Sequence, residues 1–151
     1  MNEEYLKYLN HEVITEKNNK YIITKYISEG GNGFVFECCN EHGKIYVLKL
    51  LHTTTKVKVE NFKKEVVLQK KINSEYIVKC IDSGEQCFGS QRSPRPFYIM
   101  DKYDTTLENL IDGDIITPLK AYKYMIQLCK ALKVLHKSED PIIHRDLKPE
   151  N

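Results

Sequence analysis

Two charged residues, Lys49 and Glu65, restrict the folding of this chain more than any other pair. Lys49 lies in the strand-like run KIYVLKLL, residues 44–51, where the two-residue period puts Ile45, Val47 and Leu51 on its own face. A lysine on an apolar face needs an anion, because a buried unpaired ammonium is costly. Glu65 lies in VENFKKEVVLQKKIN, residues 59–73. At about 100° per residue it shares a helical face with Phe62, Leu68 and Ile72, while Lys63, Lys64, Lys70 and Lys71 lie elsewhere. An inward lysine on a strand and an inward glutamate on the next helix satisfy each other, so the helix must cross that strand. The competing readings are a lysine guarding an exposed sheet edge and a glutamate making an i,i+4 pair on a wet face. The angular position of Glu65 speaks against the second.

The flanking sequence supplies a sheet for this pair. KYIITKYIS and GFVFECC are β-rich runs joined by EGGNG, whose Asn-Gly step favours a tight hairpin turn. NEHG turns the chain into KIYVLKLL. Beyond the helix, YIVKCID and FYIMDKY read as strands separated by the loop GEQCFGSQRSPRP. Thr117 followed by Pro118 predicts an N-cap and a first helical residue, opening the helix LKAYKYMIQLCKALKVLHK. The expected class is α+β: a five-stranded antiparallel sheet with one packed helix, then a helical segment beginning near Lys102 to Asp104.

Composition narrows the partners. A length of 151 residues suits one domain, and 23 basic against 21 acidic residues leave a net charge of +2. No block of one sign appears, since Glu60 and Glu65 interrupt the lysines between Lys56 and Lys71. That gives neither a nucleic acid nor a membrane surface an electrostatic footprint. The five cysteines (Cys38, Cys39, Cys80, Cys87, Cys129) are odd in number and form no C-x-x-C pair. Reduced thiols in a cytoplasmic protein are expected. MNEEYLKYLN is acidic and lacks the apolar core of a signal peptide, and no apolar run is long enough to span a bilayer.

Two further stretches carry chemistry. In SEGGNGFV, Ser28 to Val35, a turn of small residues lets backbone N–H groups approach phosphate oxygens, although such a turn is also an ordinary hairpin. In DPIIHRDLKPEN, Asp146 can accept a hydroxyl proton, Lys148 can neutralise phosphate, and Asn151 offers an oxygen to a hard cation. Those three groups in one short loop suit phosphoryl transfer, where catalysis is mostly positioning and charge stabilisation. A polar turn ended by Pro149 is the plainer alternative for this loop taken alone.

Taken in order, SEGGNGFV, Lys49, Glu65 and HRDLKPEN resemble a eukaryotic-type protein kinase from about Tyr21 to Asn151. The resemblance implies a kinase N-lobe over residues 21–103 after an N-terminal extension at 1–20, with the start of a C-lobe over 104–151. It implies ATP and Mg²⁺ as cofactors and a protein with a Ser/Thr acceptor as partner. Gly30, Gly31, Asn32 and Gly33 would cover the phosphates, and Ile27, Val35 and Val47 would enclose the adenine. Lys49, paired with Glu65, would hold the α- and β-phosphates. Met100 would be the gatekeeper, with Asp101 to Tyr103 as the hinge. Asp146 would be the catalytic base and Asn151 a ligand of the second Mg²⁺. Lys148 resembles the serine/threonine class, and Arg145 resembles kinases regulated through activation-loop phosphorylation.

Several positions depart from the family pattern. Ser28 replaces the first glycine, Asn32 replaces an aromatic tip, Val47 stands where alanine is common, and Gln69 stands where an apolar residue is usual. No D-F-G follows Asn151. The final helix carries an apolar arc of roughly 180° (Tyr122, Tyr124, Met125, Leu128, Cys129, Ala131, Leu132 and Leu135), wider than the ~100° a surface helix usually buries. Together these predict a truncated serine/threonine kinase domain, inactive as this polypeptide and prone to self-association through that helix. The rival expectation is a pseudokinase acting as a nucleotide- or partner-binding module. A small-molecule phosphotransferase of related fold is a third expectation, which HRDLKPEN fits poorly.

Overall fold

The structure is a computed structural model that describes residues 3–31, 33–53, 55–90, 92–138 and 140–150. Asn32 and Asn151, both expected site residues, lie outside the described residues. The chain divides into two compact units, Met1–Lys71 with Lys79–Lys102, and Ile72–Val78 with Tyr103–Asn151.

The first unit is built on strands β1 (Glu12–Ile14), β2 (Lys20–Gly30), β3 (Gly33–Asn40), β4 (Ile45–Leu50), β5 (Cys80–Gln86) and β6 (Arg95–Asp101), with helix α1 (Lys56–Lys71) between β4 and β5. The sheet order is β1-β2-β3-β4-β6-β5, and every pairing is antiparallel. Strand period separates two cores. Phe34, Phe36, Leu48, Leu50, Phe97 and Ile99 are buried on one face, and Leu51, Phe62, Val66, Cys80 and Tyr98 are buried together with α1 on the other.

The sheet has six strands among the described residues, where five were expected. The sixth, β1, comes from the segment expected to be an N-terminal extension. The physical reason is the face that α1 does not cover. Its phenylalanines need apolar cover, and a 3-10 helix over Glu3–Tyr8 followed by β1 provides it with Tyr8 and Val13, both fully buried. The Tyr8 ring lies 5.6 Å from that of Phe34, 5.9 Å from Phe36 and 5.0 Å from Phe88. Charges at Glu3, Glu4 and Lys7 mask this apolar side in the sequence.

β5 also departs from expectation, running over Cys80–Gln86 instead of residues 76–82. Polar partners make the shift favourable. The Asp82 carboxylate is buried and accepts hydrogen bonds from Thr15 Oγ1 at 2.6 Å, Asn19 Nδ2 at 2.9 Å and the Ser83 N–H at 2.8 Å. Gly84 fits because a Cβ there would stand 2.7 Å from the Phe97 ring and 2.9 Å from the Ile14 carbonyl oxygen. Such contacts explain why an apolar run lost to SGEQ.

On α1 the inward positions are Phe62, Glu65, Val66 and Gln69, spaced i, i+3, i+4 and i+7, while Leu68 is exposed and Ile72 lies past the helix end. The expected face of Phe62, Leu68 and Ile72 is therefore corrected by one residue step. Two ion pairs flank the helix, Lys63 with Glu85 at 2.5 Å and Lys70 with Glu16 at 2.9 Å.

The second unit contains α2 (Leu107–Asp112) and α3 (Pro118–His136). Thr117 caps α3 as expected, its Oγ1 accepting from the Lys120 N–H at 3.3 Å, with Pro118 leading the helix. Thr106 caps α2 in the same way, accepting from the Asn109 N–H at 3.3 Å, a helix the pattern reading missed because six residues show no periodicity. Leu135 is buried on α3, while Tyr122, Met125 and Cys129 of the broad apolar arc are exposed.

Tyr8→Ala is expected to cost about 3–5 kcal/mol through loss of a fully buried aromatic side chain. Urea unfolding should show a lowered midpoint with an unchanged slope. A loss below about 1 kcal/mol would mean that the aromatic cluster on this face collapses without penalty.

Candidate active site

Strand register builds the site. Val35 pairs with Lys49, and Lys49 pairs with Tyr98, so these three form a row across β3, β4 and β6 on the α1 face. The next row is Glu37, Val47 and Met100. Val47 is buried, Val35, Met100 and Asp101 are half-buried, and Ile27 is exposed. This gives Lys49 an apolar rim on one side of the sheet, and Asp101 ends β6 beside it.

The Lys49 ammonium donates to Glu65 Oε1 at 2.8 Å, the contact its sequence position demanded. Lys49 is therefore paired to a carboxylate and does not guard a sheet edge. The side chains retain 23% and 39% of their exposure, so the pair is partly open to solvent and does not lie in a dry core. An ammonium has three N–H donors, and Glu65 takes one, leaving capacity for an anionic ligand.

Tyr98 is a third member that sequence reasoning missed. Its hydroxyl donates to the same Glu65 oxygen at 3.1 Å, and the Lys49 ammonium stands 5.5 Å from its ring centre. Burial pushes the Tyr98 hydroxyl well above its ordinary range, and the adjacent Glu65 carboxylate adds to the shift. The phenol is thereby kept as a donor. The signal was present in the sequence, because Tyr98 lies two residues from Met100 and shares its face on the strand.

The glycine turn has one strict requirement. Gly33 holds φ at 151°, and a Cβ there would fall 2.0 Å from the Leu50 carbonyl oxygen. Gly30 and Gly31 meet no atom within 4 Å of a built Cβ, so their backbone faces open space where a ligand could approach.

In the second unit, Asp146 and Lys148 are exposed in the segment after α3. Two backbone bonds tie that segment down: the Ile142 N–H to the Leu135 carbonyl at 3.0 Å, and the Glu108 N–H to the Pro149 carbonyl at 3.0 Å. Arg145 adopts φ of 63°, a left-handed conformation that non-glycine residues adopt only where surrounding contacts enforce it. Tyr103 is exposed at the start of this unit. Thus Lys49 and Glu65 meet within one unit, and Asp146 and Lys148 share a loop of the other.

The protein kinase domain family matches residues 21–151. The chain is 31% identical over 148 residues to a probable serine/threonine-protein kinase of Dictyostelium discoideum, covering 87% of this chain and 39% of that protein. It is 29% identical over 145 residues to a serine/threonine-protein kinase of Schizosaccharomyces pombe, covering 89% of this chain and 15% of that one. A probable serine/threonine-protein kinase of Clostridium perfringens is 30% identical over 139 residues, covering 88% and 19% respectively. Lys49 on the sheet pairs with Glu65 on α1, and Asp146 and Lys148 share a tethered loop, all within the residues that the family matches. This chain belongs to the protein kinase family, and it spans well under half the length of these relatives.

Tyr98→Phe keeps the ring and removes one hydrogen bond to Glu65. It should lower stability by about 1–2 kcal/mol in denaturant titrations, as for a hydrogen bond to a charged acceptor. An unchanged midpoint would show that water replaces the hydroxyl at Glu65 without loss.

Proposed function

We propose that this protein is an ATP- and Mg²⁺-dependent serine/threonine kinase that transfers phosphate to a protein hydroxyl. The observation that carries the reading is the 2.8 Å pair between Lys49 and Glu65 on the α1 face of the sheet. Such a pair fixes an ammonium where it can neutralise phosphate oxygens, and phosphoryl transfer depends on that kind of preorganised charge.

In this reading residues 21–103 form the N-lobe and the C-lobe begins at residue 104. Val35, Val47 and Met100 pack against the adenine, with Ile27 and the hinge residues Asp101 and Tyr103 around it. Backbone N–H groups of Gly30, Gly31 and Gly33 donate to the phosphates, with Asn32 at the tip. Lys49 neutralises the α- and β-phosphates while Glu65 and Tyr98 hold it in place. Asp146 accepts the proton of the attacking serine or threonine hydroxyl, and Lys148 neutralises the transferred phosphate. When bound, Mg²⁺ would supply charge neutralisation of the phosphates, and Asn151 is the residue that would hold it. Serine/threonine preference is supported by Lys148 and by the names of the relatives. Among the described residues no helix is long and apolar enough to cross a membrane, which accords with a cytoplasmic site of action.

Lys49→Met should abolish the rise in melting temperature that Mg-ATP produces in the parent protein. An undiminished shift would remove Lys49 from the nucleotide site. Asp146→Asn should eliminate phosphotransfer to a serine/threonine peptide library while leaving that Mg-ATP shift intact, and retained turnover would dismiss Asp146 as the base.

A further inference from the structure

Residues 3–19 lie outside the stretch matched by the kinase family, yet they are joined to both elements that shape the nucleotide side of the first unit. The turn after β1 is anchored by the buried Asp82 through Thr15 and Asn19, and the Glu16 N–H donates to the Ser83 carbonyl at 2.7 Å. Lys17 Nζ adds a bond to the Ile81 carbonyl at 3.0 Å. This holds Glu16 as a fixed anion beside β5. Its carboxylate receives Lys70 of α1 at 2.9 Å, and Lys70 also donates to Ser83 Oγ at 2.8 Å. On the opposite sheet face, the Tyr5 ring stacks on Tyr26 of β2 at 4.1 Å, and Tyr8 packs beside Phe34, the residue after Gly33.

We propose that residues 3–19 act as a positioning strap in which Glu16, through Lys70, holds α1 in the setting that keeps Glu65 on Lys49. The inference rests on the reading of Lys49 and Glu65 as the nucleotide-binding pair. The geometry favours a positioning role for Glu16 over a merely stabilising one. α1 is buried against the sheet mainly through Phe62 and Val66, a narrow contact flanked by two ion pairs, Lys63 with Glu85 and Lys70 with Glu16. Lys70 is five residues from Glu65, roughly 7.5 Å along the helix, so a tether at Lys70 limits rotation about the helix axis where Glu65 needs it limited. The partly exposed Glu16–Lys70 pair contributes little to global stability. Its effect is to select one helix setting among several of similar energy. The Lys70 ammonium holds the Glu16 carboxyl below its ordinary range, so the tether is charged at neutral pH and is lost only as pH falls through that lowered value.

The test compares Glu16→Lys, Lys70→Glu and the exchanged double variant Glu16→Lys/Lys70→Glu with the parent protein. Hydrogen–deuterium exchange of α1 amides around Glu65 reads the tether, and titration with a fluorescent ATP analogue plus Mg²⁺ reads the site. Each single variant should weaken nucleotide binding about two- to fivefold, the range that one exposed ion pair supports, and speed α1 exchange. Melting temperature should move by no more than a few degrees. The double variant should recover at least half of both effects, which a general loss of stability would not do. Unchanged α1 exchange in both single variants overturns the strap. Faster exchange with unchanged nucleotide affinity also overturns it, provided Lys49→Met abolishes binding in the same assay. If Lys49→Met binds the analogue normally, the nucleotide reading fails instead, and the strap is then judged by exchange and its recovery alone.

Discussion

The ammonium of Lys49 cannot be left alone on an apolar sheet face, and much of the first unit follows from that requirement. A lysine on β4 needs a carboxylate within hydrogen-bonding distance, and β3 and β6 already occupy both flanks of that strand. The anion therefore has to come from above the sheet, on an element long enough to span it. α1 meets that need with sixteen residues, and its placement is set jointly by Phe62 and Val66 packing against Leu51 and Tyr98 and by Glu65 reaching Lys49. Apolar burial alone would hold the helix on the sheet but would not choose its rotation. The ion pairs of α1 bear on that choice, Glu65 with Lys49 and, at its flanks, Lys63 with Glu85 and Lys70 with Glu16, and the Tyr98 hydroxyl donates to the same Glu65 oxygen.

A central sheet has two faces, and the second imposes its own demand. Phe34, Phe36, Phe97 and Ile99 would form an exposed apolar patch if nothing covered them. Tyr8, Val13 and Phe88 cover them, so the segment before the family match belongs to the same compact unit as Lys49 and Glu65. β3 carries Phe34 and Phe36 toward that cover and Val35 toward the α1 face, and Tyr8 packs against Phe34, the residue after Gly33.

Sequence made some of this legible and hid the rest for physical reasons. Lys49 and Glu65 were legible because a charge on an apolar face has few solutions. The α3 start was legible because Thr117-Pro118 is a local signal that needs no tertiary context. The true course of β5 was not, because SGEQ becomes a strand only when Thr15 and Asn19 satisfy Asp82 and when Phe97 fills the space above Gly84. Those partners lie far away in the chain, and no window of local pattern contains them. Leu68 misled for a similar reason, since a leucine one step from the true face looks like core until Gln69 is seen half-buried in its place. Tyr8 was hidden among charges that point outward from a helix too short to show a period.

The loop that bears Asp146 is fixed in a different way. Residues 143–150 are exposed, so burial does not hold them. Position is instead imposed on the backbone. The bond from Ile142 to Leu135 anchors the loop to the one buried residue of α3, and the bond from Glu108 to Pro149 anchors its far end to the first turn of α2. Between these anchors the left-handed turn at Arg145 sets the direction in which Asp146 leaves the chain. A non-glycine residue in that conformation costs about 1–3 kcal/mol and persists where the surrounding structure holds it. The two anchors flank Arg145, and one of them is α2, the short helix that no periodic signal announces.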